Sequence, residues 1–204
     1  MADKKSYNII ITGVGGQGVI LASTVLGMSA IDSGKTVKIA DTHGLAQRGG
    51  SVISFVRIGN VHAYTLSEGE ADVLLAFEPM EALRNLKYLK EDGIVIVNTH
   101  PIVPVAAYIG ATTYPPVNEI ISKIRKQCKK VFFIDATSIA RKCGTEKMVN
   151  TVMLGALSAL DDFPIKMETI LKNIRKMVPP GTENMNENAF KEGRKALLNL
   201  LKKV

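Results

Sequence analysis

The feature that most constrains the fold is a stretch of 26 residues, Ser6 to Ile31, that carries no charged side chain. Its centre reads GVGGQG at residues 13–18, and four glycines and a glutamine do not suit a helix that faces lipid. The β-branched run at 7–12 predicts a buried strand, and the proline-free segment at 17–33 predicts a buried helix. The stretch therefore predicts a strand, a glycine turn and a helix packed on a sheet, not a signal peptide or a membrane span.

Beyond this unit, apolar runs alternate with segments of helical pattern. Further strands are predicted at 36–40, 51–58, 61–66, 72–77, 93–98 and 130–135, with a short one at 103–108. Further helices are predicted at 78–90, 117–127, 136–143, 147–160, 166–177 and 184–203. This alternation is typical of an α/β fold with a Rossmann-like, mostly parallel sheet and helices on both faces.

Two additions complete the predicted architecture. Gly59-Asn60 separates two predicted strands and suits a two-residue turn, so we expect a β-hairpin insertion at about 51–66. The chain from about 136 to 204 is expected to be helical, as part of a single α/β domain over residues 1–204.

The charge is positive and unevenly distributed. The chain has 26 lysines and arginines against 19 acids, for a net charge of +7. Residues 65–122 carry a net charge of −5, whereas 123–147 carry +6 and 165–204 carry +5. A basic second half suits an anionic partner, but two solvated, lysine-rich helix faces are the preferred explanation. Aromatic residues are 5% and do not interleave with the basic runs, so we expect no nucleic acid and no membrane as partner.

The cysteines and histidines limit metal chemistry. Cys128 and Cys143 are fifteen positions apart, so this chain cannot supply four thiolates to an iron–sulfur cluster or a zinc site. His43, His62 and His100 do not follow a metal-ligand spacing. We therefore expect no metal site in this chain, and a cytoplasmic, reducing location.

The glycine turn allows three interpretations. Gly13, Gly15 and Gly18 form GxGxxG between a strand and a helix, which suits contact between backbone N–H groups and an anion or cofactor. NAD binding is a rival, because Asp41 ends the second predicted strand where a ribose-binding acid would lie. Against NAD, the chain next enters a glycine-containing loop and not a crossover helix. In the third interpretation the glycines only allow the helix to pack closely on the sheet.

The loop after Asp41 is a second candidate. It reads HGLAQRGG at residues 43–50, and Arg48 could hold a carboxylate or phosphate with its planar fork. A surface turn with an exposed arginine is the alternative. Among the remaining strand ends, Glu78 suits a first-turn acid of a helix better than a general base, His100 a loop histidine, and Asp135 a helix cap. No catalytic residue can be assigned from these patterns.

Several motifs taken together resemble one family. They are GVGGQG, HGLAQRGG, FEPMEALR at 77–84, NTVMLGAL at 150–157 and NAFKEG at 188–193. The chain resembles the gamma-type catalytic domain of 2-oxoacid:ferredoxin oxidoreductases over nearly its whole length. Within that family it is most similar to the small (beta) subunits of the indolepyruvate type.

The resemblance implies the following division of labour. The holoenzyme oxidatively decarboxylates an arylpyruvate with coenzyme A, giving an aryl-acetyl-CoA, carbon dioxide and reduced ferredoxin. Thiamine diphosphate, magnesium and 4Fe–4S clusters lie on a large alpha subunit, and this chain completes the enzyme and is inactive alone. We expect its contacts with coenzyme A or substrate to come from Gly13, Gly15, Gly16, Gln17, Gly18, Arg48 and Gly49.

Overall fold

The computed structural model describes residues 6–43, 49–104, 107 and 110–203. The strands are β1 Ser6–Val14, β2 Val37–His43, β3 Ser51–Gly59, β4 Ala71–Ala76, β5 Leu89–Asn98 and β6 Lys130–Ile134. The helices are α1 Val19–Asp32, α2 Pro79–Asn85, α3 Val117–Gln127, α4 Ala136–Cys143, α5 Val149–Leu157, α6 Met167–Met177 and α7 Glu183–Leu201. Two short 3-10 turns, Leu86–Tyr88 and Glu146–Met148, lead into β5 and α5.

The six strands form one mixed sheet in the order β2-β3-β1-β4-β5-β6. β1, β4, β5 and β6 are parallel neighbours, whereas β3 runs antiparallel to both β1 and β2. Five of the six strands therefore run in the same direction, which confirms the mostly parallel α/β sheet. The helical C-terminal part is also confirmed, because α4 to α7 occupy Ala136–Leu201.

The predicted hairpin at 51–66 is wrong. β3 forms as expected, but residues 60–66 contain no strand. β3 pairs instead with β2 before it, and places its other edge against β1. The antiparallel pair is thus β2 and β3, which follow one another along the chain. The dipeptide Gly59-Asn60 is typical of a two-residue hairpin turn. In the structure Gly59 instead ends β3, with a positive φ of 109° that glycine tolerates.

Side chains that alternate along the strands build two cores, one on each face of the sheet. Ile9 and Ile11 of β1 pack on one face against α1 and α4 to α7. Ile10 points to the other face, where α2 and α3 lie. This period of two confirms that helices cover both faces.

Some predicted boundaries shift. The helix expected at 78–90 is shorter, since α2 ends at Asn85 and β5 begins at Leu89, earlier than the expected start at residue 93. Pro79 occupies the first turn of α2, where its missing N–H costs nothing. Of the short strand expected at 103–108, residues 105, 106 and 108 lie outside the described residues, and 103, 104 and 107 are not in a strand, so the prediction is wrong at these three positions.

Helices α5 and α7 cross with their backbones in contact. A Cβ at Gly155 of α5 would lie 2.0 Å from the carbonyl oxygen of Phe190. A Cβ at Gly193 of α7 would lie 2.0 Å from the carbonyl oxygen of Val152. The motifs NTVMLGAL and NAFKEG therefore meet at a crossing that only glycine permits, and it carries the fully buried Phe190 into the core.

The connections of β1 and β4 indicate which edge of the sheet is the candidate site. β1 leads to α1 on one face, and the neighbouring β4 leads to α2 on the other face. Such a switch point opens a crevice at the carboxyl ends of the two strands, which is where α/β sheets bind ligands. In the described part of the chain, no helix has the length and apolar character required to cross a bilayer.

Candidate functional site

Gln17 bridges the crevice between β1 and β4. Its side-chain Oε1 accepts the N–H of Val14 at 2.8 Å, and its Nε2 donates to the carbonyl oxygen of Phe77 at 2.8 Å. The glycine loop is folded back by this side chain, so the amide fastens the end of β1 to the end of β4. Both polar atoms of the amide already have hydrogen-bond partners within the chain. Gln17 therefore holds the glycine loop in place.

The glycine loop is clasped to the end of the second candidate loop. The N–H of Gly15 donates to the carbonyl oxygen of Gly50 at 2.8 Å, and the N–H of Gly49 donates to the carbonyl oxygen of Gly15 at 3.4 Å. These bonds continue the pairing of β1 with β3 beyond Val14 and Ser51. The structure thus brings Gly49 to the glycine loop, whereas Arg48 lies outside the described residues.

The glycines of the loop differ in their surroundings. A Cβ at Gly13 would lie 2.7 Å from Oε1 of Gln17 and 3.1 Å from Cβ of Phe77, so this glycine allows close packing. Gly18 has a φ of +77°, and a Cβ there would lie 2.6 Å from Nδ2 of Asn150. Gly16 has a φ of +103° and no atom within 4 Å of such a Cβ. Packing explains Gly13 and Gly18, while Gly16 presents bare backbone to open space.

Asn98 holds the next strand end together. Its Nδ2 donates to the carbonyl oxygen of Phe77 and to Oγ1 of Thr137, both at 3.0 Å. Its Oδ1 accepts the N–H groups of Ala136 at 3.1 Å and Thr137 at 3.3 Å, in the first turn of α4. A single buried amide therefore fixes β4, β5 and α4 relative to one another. Asp135 also caps α4, as expected, by accepting the N–H of Ser138 at 3.0 Å.

An open cleft of about 310 Å³ lies beside the glycine loop. Gly15, Gly16 and Gln17 form one side, and the other sides come from His100, Ile102, Thr137, Glu146, Lys147 and Val149. Nε of Arg141 pairs with the carboxylate of Glu146 at 2.8 Å. The ammonium of Lys147 and the imidazole of His100 are thus the groups in the lining able to add positive charge beside the loop.

Two buried carboxylates lie behind this edge, at the start of α2. Glu78 is 2% exposed, and its Oε2 accepts the N–H of Glu81 at 2.9 Å, so it is the cap of α2, one position before the first turn. Its Oε1 accepts the hydroxyl of Tyr114 and, at 3.4 Å, the N–H of Ile102. Burial raises the pKa of Glu78 above its ordinary value of 4.5, although these hydrogen bonds oppose the shift.

The second carboxylate, Glu81, is 3% exposed and fastens β3 to α2. It accepts a hydrogen bond from the hydroxyl of Ser51, the first residue after the Gly49-Gly50 clasp. Its other oxygen pairs with the guanidinium of Arg84 at 2.6 Å. The FEPMEALR motif therefore supports both loops of the edge from behind.

The geometry does not favour NAD binding. Asp41 was expected to end the second strand, but β2 continues to His43. β3 lies between β1 and β2, so Asp41 is also one strand further from the glycine loop than a dinucleotide fold requires. The carboxylate of Asp41 also accepts hydrogen bonds from the hydroxyls of Ser54 and Ser23. These bonds commit Asp41 to joining β2, β3 and α1.

Several residues of the edge were missed by the sequence analysis. Asn98 was not one of them, because it ends a continuously apolar strand and so belongs to the predicted carboxyl edge, but its hydrogen-bond partners were not visible. Tyr114, Lys147 and Asn150 carried no signal, since only the tertiary fold brings these distant positions to the loop. Glu78 and His100 were named from their positions, but their partners were not visible in the sequence.

The class of protein follows from comparison with known sequences and structures. Residues 8–196 match the family described as pyruvate ferredoxin/flavodoxin oxidoreductase, so the chain belongs to this family. This membership confirms the resemblance drawn from the glycine loop and the other motifs. The protein is accordingly a subunit of an oxidoreductase.

Three relatives show which members of the oxidoreductase family this chain is similar to. Indolepyruvate oxidoreductase subunit IorB of Thermococcus kodakarensis is 43% identical over 97% of this chain and 98% of its own length. The common gamma subunit of the pyruvate/ketoisovalerate oxidoreductases of Pyrococcus furiosus is 30% identical over 88% of this chain and 91% of its own length. The crystal structure of pyruvate oxidoreductase subunit PORC from Thermotoga maritima superposes with a TM-score of 0.72 at 28% identity, covering 95% of this chain and 97% of that chain.

Proposed function

We propose that this chain is the small subunit of a ferredoxin-dependent oxidoreductase that decarboxylates arylpyruvates and transfers the acyl group to coenzyme A. The observation that carries the proposal is the difference between two levels of identity. Identity is 43% with an indolepyruvate oxidoreductase subunit and 30% with a pyruvate/ketoisovalerate subunit, over similar shares of the chain. The preference for an arylpyruvate rests on this difference, since no pocket residue described above selects an aromatic ring.

The redox cofactors belong, in this proposal, to a larger partner subunit. Two cysteines cannot hold a 4Fe–4S cluster, so the donor set of this chain does not fit one. Thiamine diphosphate, magnesium and the clusters are therefore assigned to the partner, which supplies the decarboxylation and the electron transfer to ferredoxin. This chain completes the active site and is inactive alone, and its two free cysteines suit a reducing cytoplasm.

Helix α1 supports the existence of a partner surface. The helix carries no charge before Asp32 and is apolar around its whole circumference, which is typical of a helix buried on all sides. Three of its large apolar side chains are nevertheless exposed: Ile20 by 43%, Met28 by 43% and Ile31 by 60%. The first of them lies two positions after Gly18, so an apolar face continues directly from the glycine loop.

The role of the edge is to contact the anionic part of coenzyme A. The N-terminus of α1 has no side-chain cap and no acid in its first turn among the described residues, which leaves N–H groups for an anion. Gly16 offers backbone without a side chain, and Lys147 adds a positive charge to the cleft. Arg48 belongs to the same loop as Gly49 and Gly50, whose clasp on Gly15 brings the end of that loop here.

The contact with coenzyme A can be tested in the enzyme reassembled with its large subunit. Arg48→Ala is expected to raise the KM for coenzyme A by about tenfold or more, because one charge-assisted contact is lost. Lys172→Ala, on the exposed side of α6, serves as the control and should leave this KM unchanged. An unchanged KM for coenzyme A in Arg48→Ala would contradict the assignment.

The substrate class is tested separately with the same assembled enzyme. Ferredoxin reduction is measured with indolepyruvate, pyruvate and 2-oxoglutarate at matched concentrations. We expect the highest kcat/KM with indolepyruvate, and no ferredoxin reduction by the isolated chain. A preference for pyruvate or 2-oxoglutarate would overturn the arylpyruvate assignment while leaving the family unaffected.

A further inference from the structure

The carboxylate of Glu78 joins three parts of the chain that are distant in sequence. It caps α2 through the N–H of Glu81, and it accepts the N–H of Ile102 and the hydroxyl of Tyr114. Ile102 lies just after β5, and Tyr114 lies just before α3. One carboxylate therefore ties both ends of the β5–α3 connection to the carboxyl end of β4.

Ile102 forms a wall shared by two spaces. On one side it lines the cleft of about 310 Å³ beside the glycine loop. On the other side it lines a narrow cavity of about 50 Å³, together with Glu78, Glu81, Arg84 and Tyr114. Glu78 lines the narrow cavity and is not in the lining of the cleft, so its carboxylate acts on the cleft through the N–H of Ile102.

We propose that Glu78 is a positioning residue that sets the wall of the cleft through Ile102 and Tyr114 and does not itself touch the ligand. The inference rests on the proposed function, which makes the cleft the contact site for coenzyme A. The neighbouring carboxylate of Glu81 does not share this role, because it bonds Ser51 and Arg84 and so supports the other side of the edge.

Glutamine cannot replace Glu78 without loss. Both oxygens of the carboxylate accept hydrogen bonds from N–H or O–H donors, and a glutamine has a single acceptor oxygen. If the amide oxygen keeps the N–H of Glu81, the NH₂ group of Glu78→Gln faces the N–H of Ile102, although it can donate to the hydroxyl of Tyr114. If the amide is turned round, the NH₂ group faces the N–H of Glu81. Tyr114→Phe is the milder variant, because it removes one donor and keeps the ring.

A matched control exists at the amino end of β4. Asp72 is 8% exposed, accepts the N–H of Asn8 at 2.7 Å and pairs with Lys90 at 2.6 Å. Asp72→Asn therefore perturbs a buried, hydrogen-bonded carboxylate at the amino end of β4, far from the cleft. It separates a general loss of stability from an effect on the wall.

The first test measures amide hydrogen exchange in the full chain. We expect exchange at Ile102 to be at least about tenfold faster in Glu78→Gln than in the native protein, and to rise less in Tyr114→Phe. Asp72→Asn should leave Ile102 unchanged relative to the amides of the core strands. Native exchange at Ile102 in both Glu78→Gln and Tyr114→Phe would overturn the proposal.

The second test measures kinetics in the enzyme assembled with its large subunit, with coenzyme A as the probe. Glu78→Gln should raise the KM for coenzyme A by about fivefold or more and change kcat by less than about twofold. If Arg48→Ala raises this KM but Glu78→Gln does not, the positioning role is wrong and the proposed function stands. If neither variant changes it, the contact with coenzyme A fails as well.

Discussion

Two regions of the molecule use glycine in opposite ways. At the crossing of α5 and α7, Gly155 and Gly193 each face a backbone carbonyl oxygen at 2.0 Å from the position of a Cβ, so the helices touch. At the carboxyl edge of the sheet, Gly16 and Gly49 have positive φ angles and no atom within 4 Å of such a Cβ. The first region has no room for an added atom, whereas the second presents bare backbone to the outside.

The difference separates motifs that fold the chain from motifs that serve its site. NTVMLGAL and NAFKEG help to identify the family, yet their glycines are explained entirely by the crossing. GVGGQG contains both kinds, because Gly13 and Gly18 are crowded and Gly16 is free. The surroundings of each glycine in a glycine-rich motif therefore have to be known before a function is assigned to the motif.

The largest effect is expected at the helix crossing. Gly155→Ala places a Cβ inside the contact distance of the Phe190 carbonyl, and backbone cannot move away as a side chain can. The free energy of unfolding should fall by about 3 kcal/mol or more, measured by urea denaturation. Asn199→Ala, on the exposed side of α7, should change it by less than about 0.5 kcal/mol. A loss below about 1 kcal/mol in Gly155→Ala would show that the crossing is looser than described.

Intermediate effects are expected in the glycine loop. Substitution of Gly18 should mainly lower stability, and substitution of Gly16 should mainly weaken the contact with coenzyme A. Gly16 and Gly18 both have a positive φ, and an alanine held in this left-handed conformation costs about 1–2 kcal/mol. Gly18→Ala should be the less stable of the two, since its Cβ also displaces the amide of Asn150. Gly16→Ala should show the larger rise in KM for coenzyme A, because its methyl group projects into the open cleft. The reverse order in either measurement would contradict the division between crowded and free glycines.

The smallest effect is a dependence of stability on pH that arises at the edge. Burial raises the pKa of Glu78, so the folded chain holds this proton more strongly than the unfolded chain does. The contribution of Glu78 is then fully present below the unfolded pKa and is lost as the pH rises through the folded pKa.

Urea unfolding of the native chain and Glu78→Gln across this pH range isolates that contribution. The native chain should lose stability relative to Glu78→Gln as the pH rises above the ordinary pKa of a glutamate. Gly155→Ala should retain the native pH dependence, because it adds no titrating group and meets only the backbone of Phe190. A constant difference between the native chain and Glu78→Gln at all pH values would contradict the shift.

The sequence was sufficient for the sheet, because β1, β4, β5 and β6 are short apolar runs separated by helical segments. It failed where pairing is non-local. The apolar pattern of residues 61–66 predicts a strand as well as that of β3 does, and only the open edge of β1 decides which segment pairs. The pairing of β2 with β3 therefore depends on the arrangement of the whole sheet, which the apolar pattern of the sequence does not show.

The sequence predicts a candidate site at the carboxyl edge of the sheet, but it does not predict the hydrogen bonds there. Strand ends named the glycine loop, Glu78, Asn98 and His100 as neighbours, since parallel strands bring their carboxyl ends to one edge. No spacing in the sequence could show that Gln17 and Asn98 share the carbonyl oxygen of Phe77, or that Tyr114 reaches Glu78. Such bonds depend on distances across the fold, which a linear pattern does not contain.

The pairing of β2 with β3 has a consequence for how members of such a family can diverge. The register from Val37 opposite Ile58 to His43 opposite Val52 is set by the strands themselves. A change in the number of residues that connect two strands costs little chain entropy and leaves their register in place. The length of that connection is thus a variable that selection can change independently of the sheet.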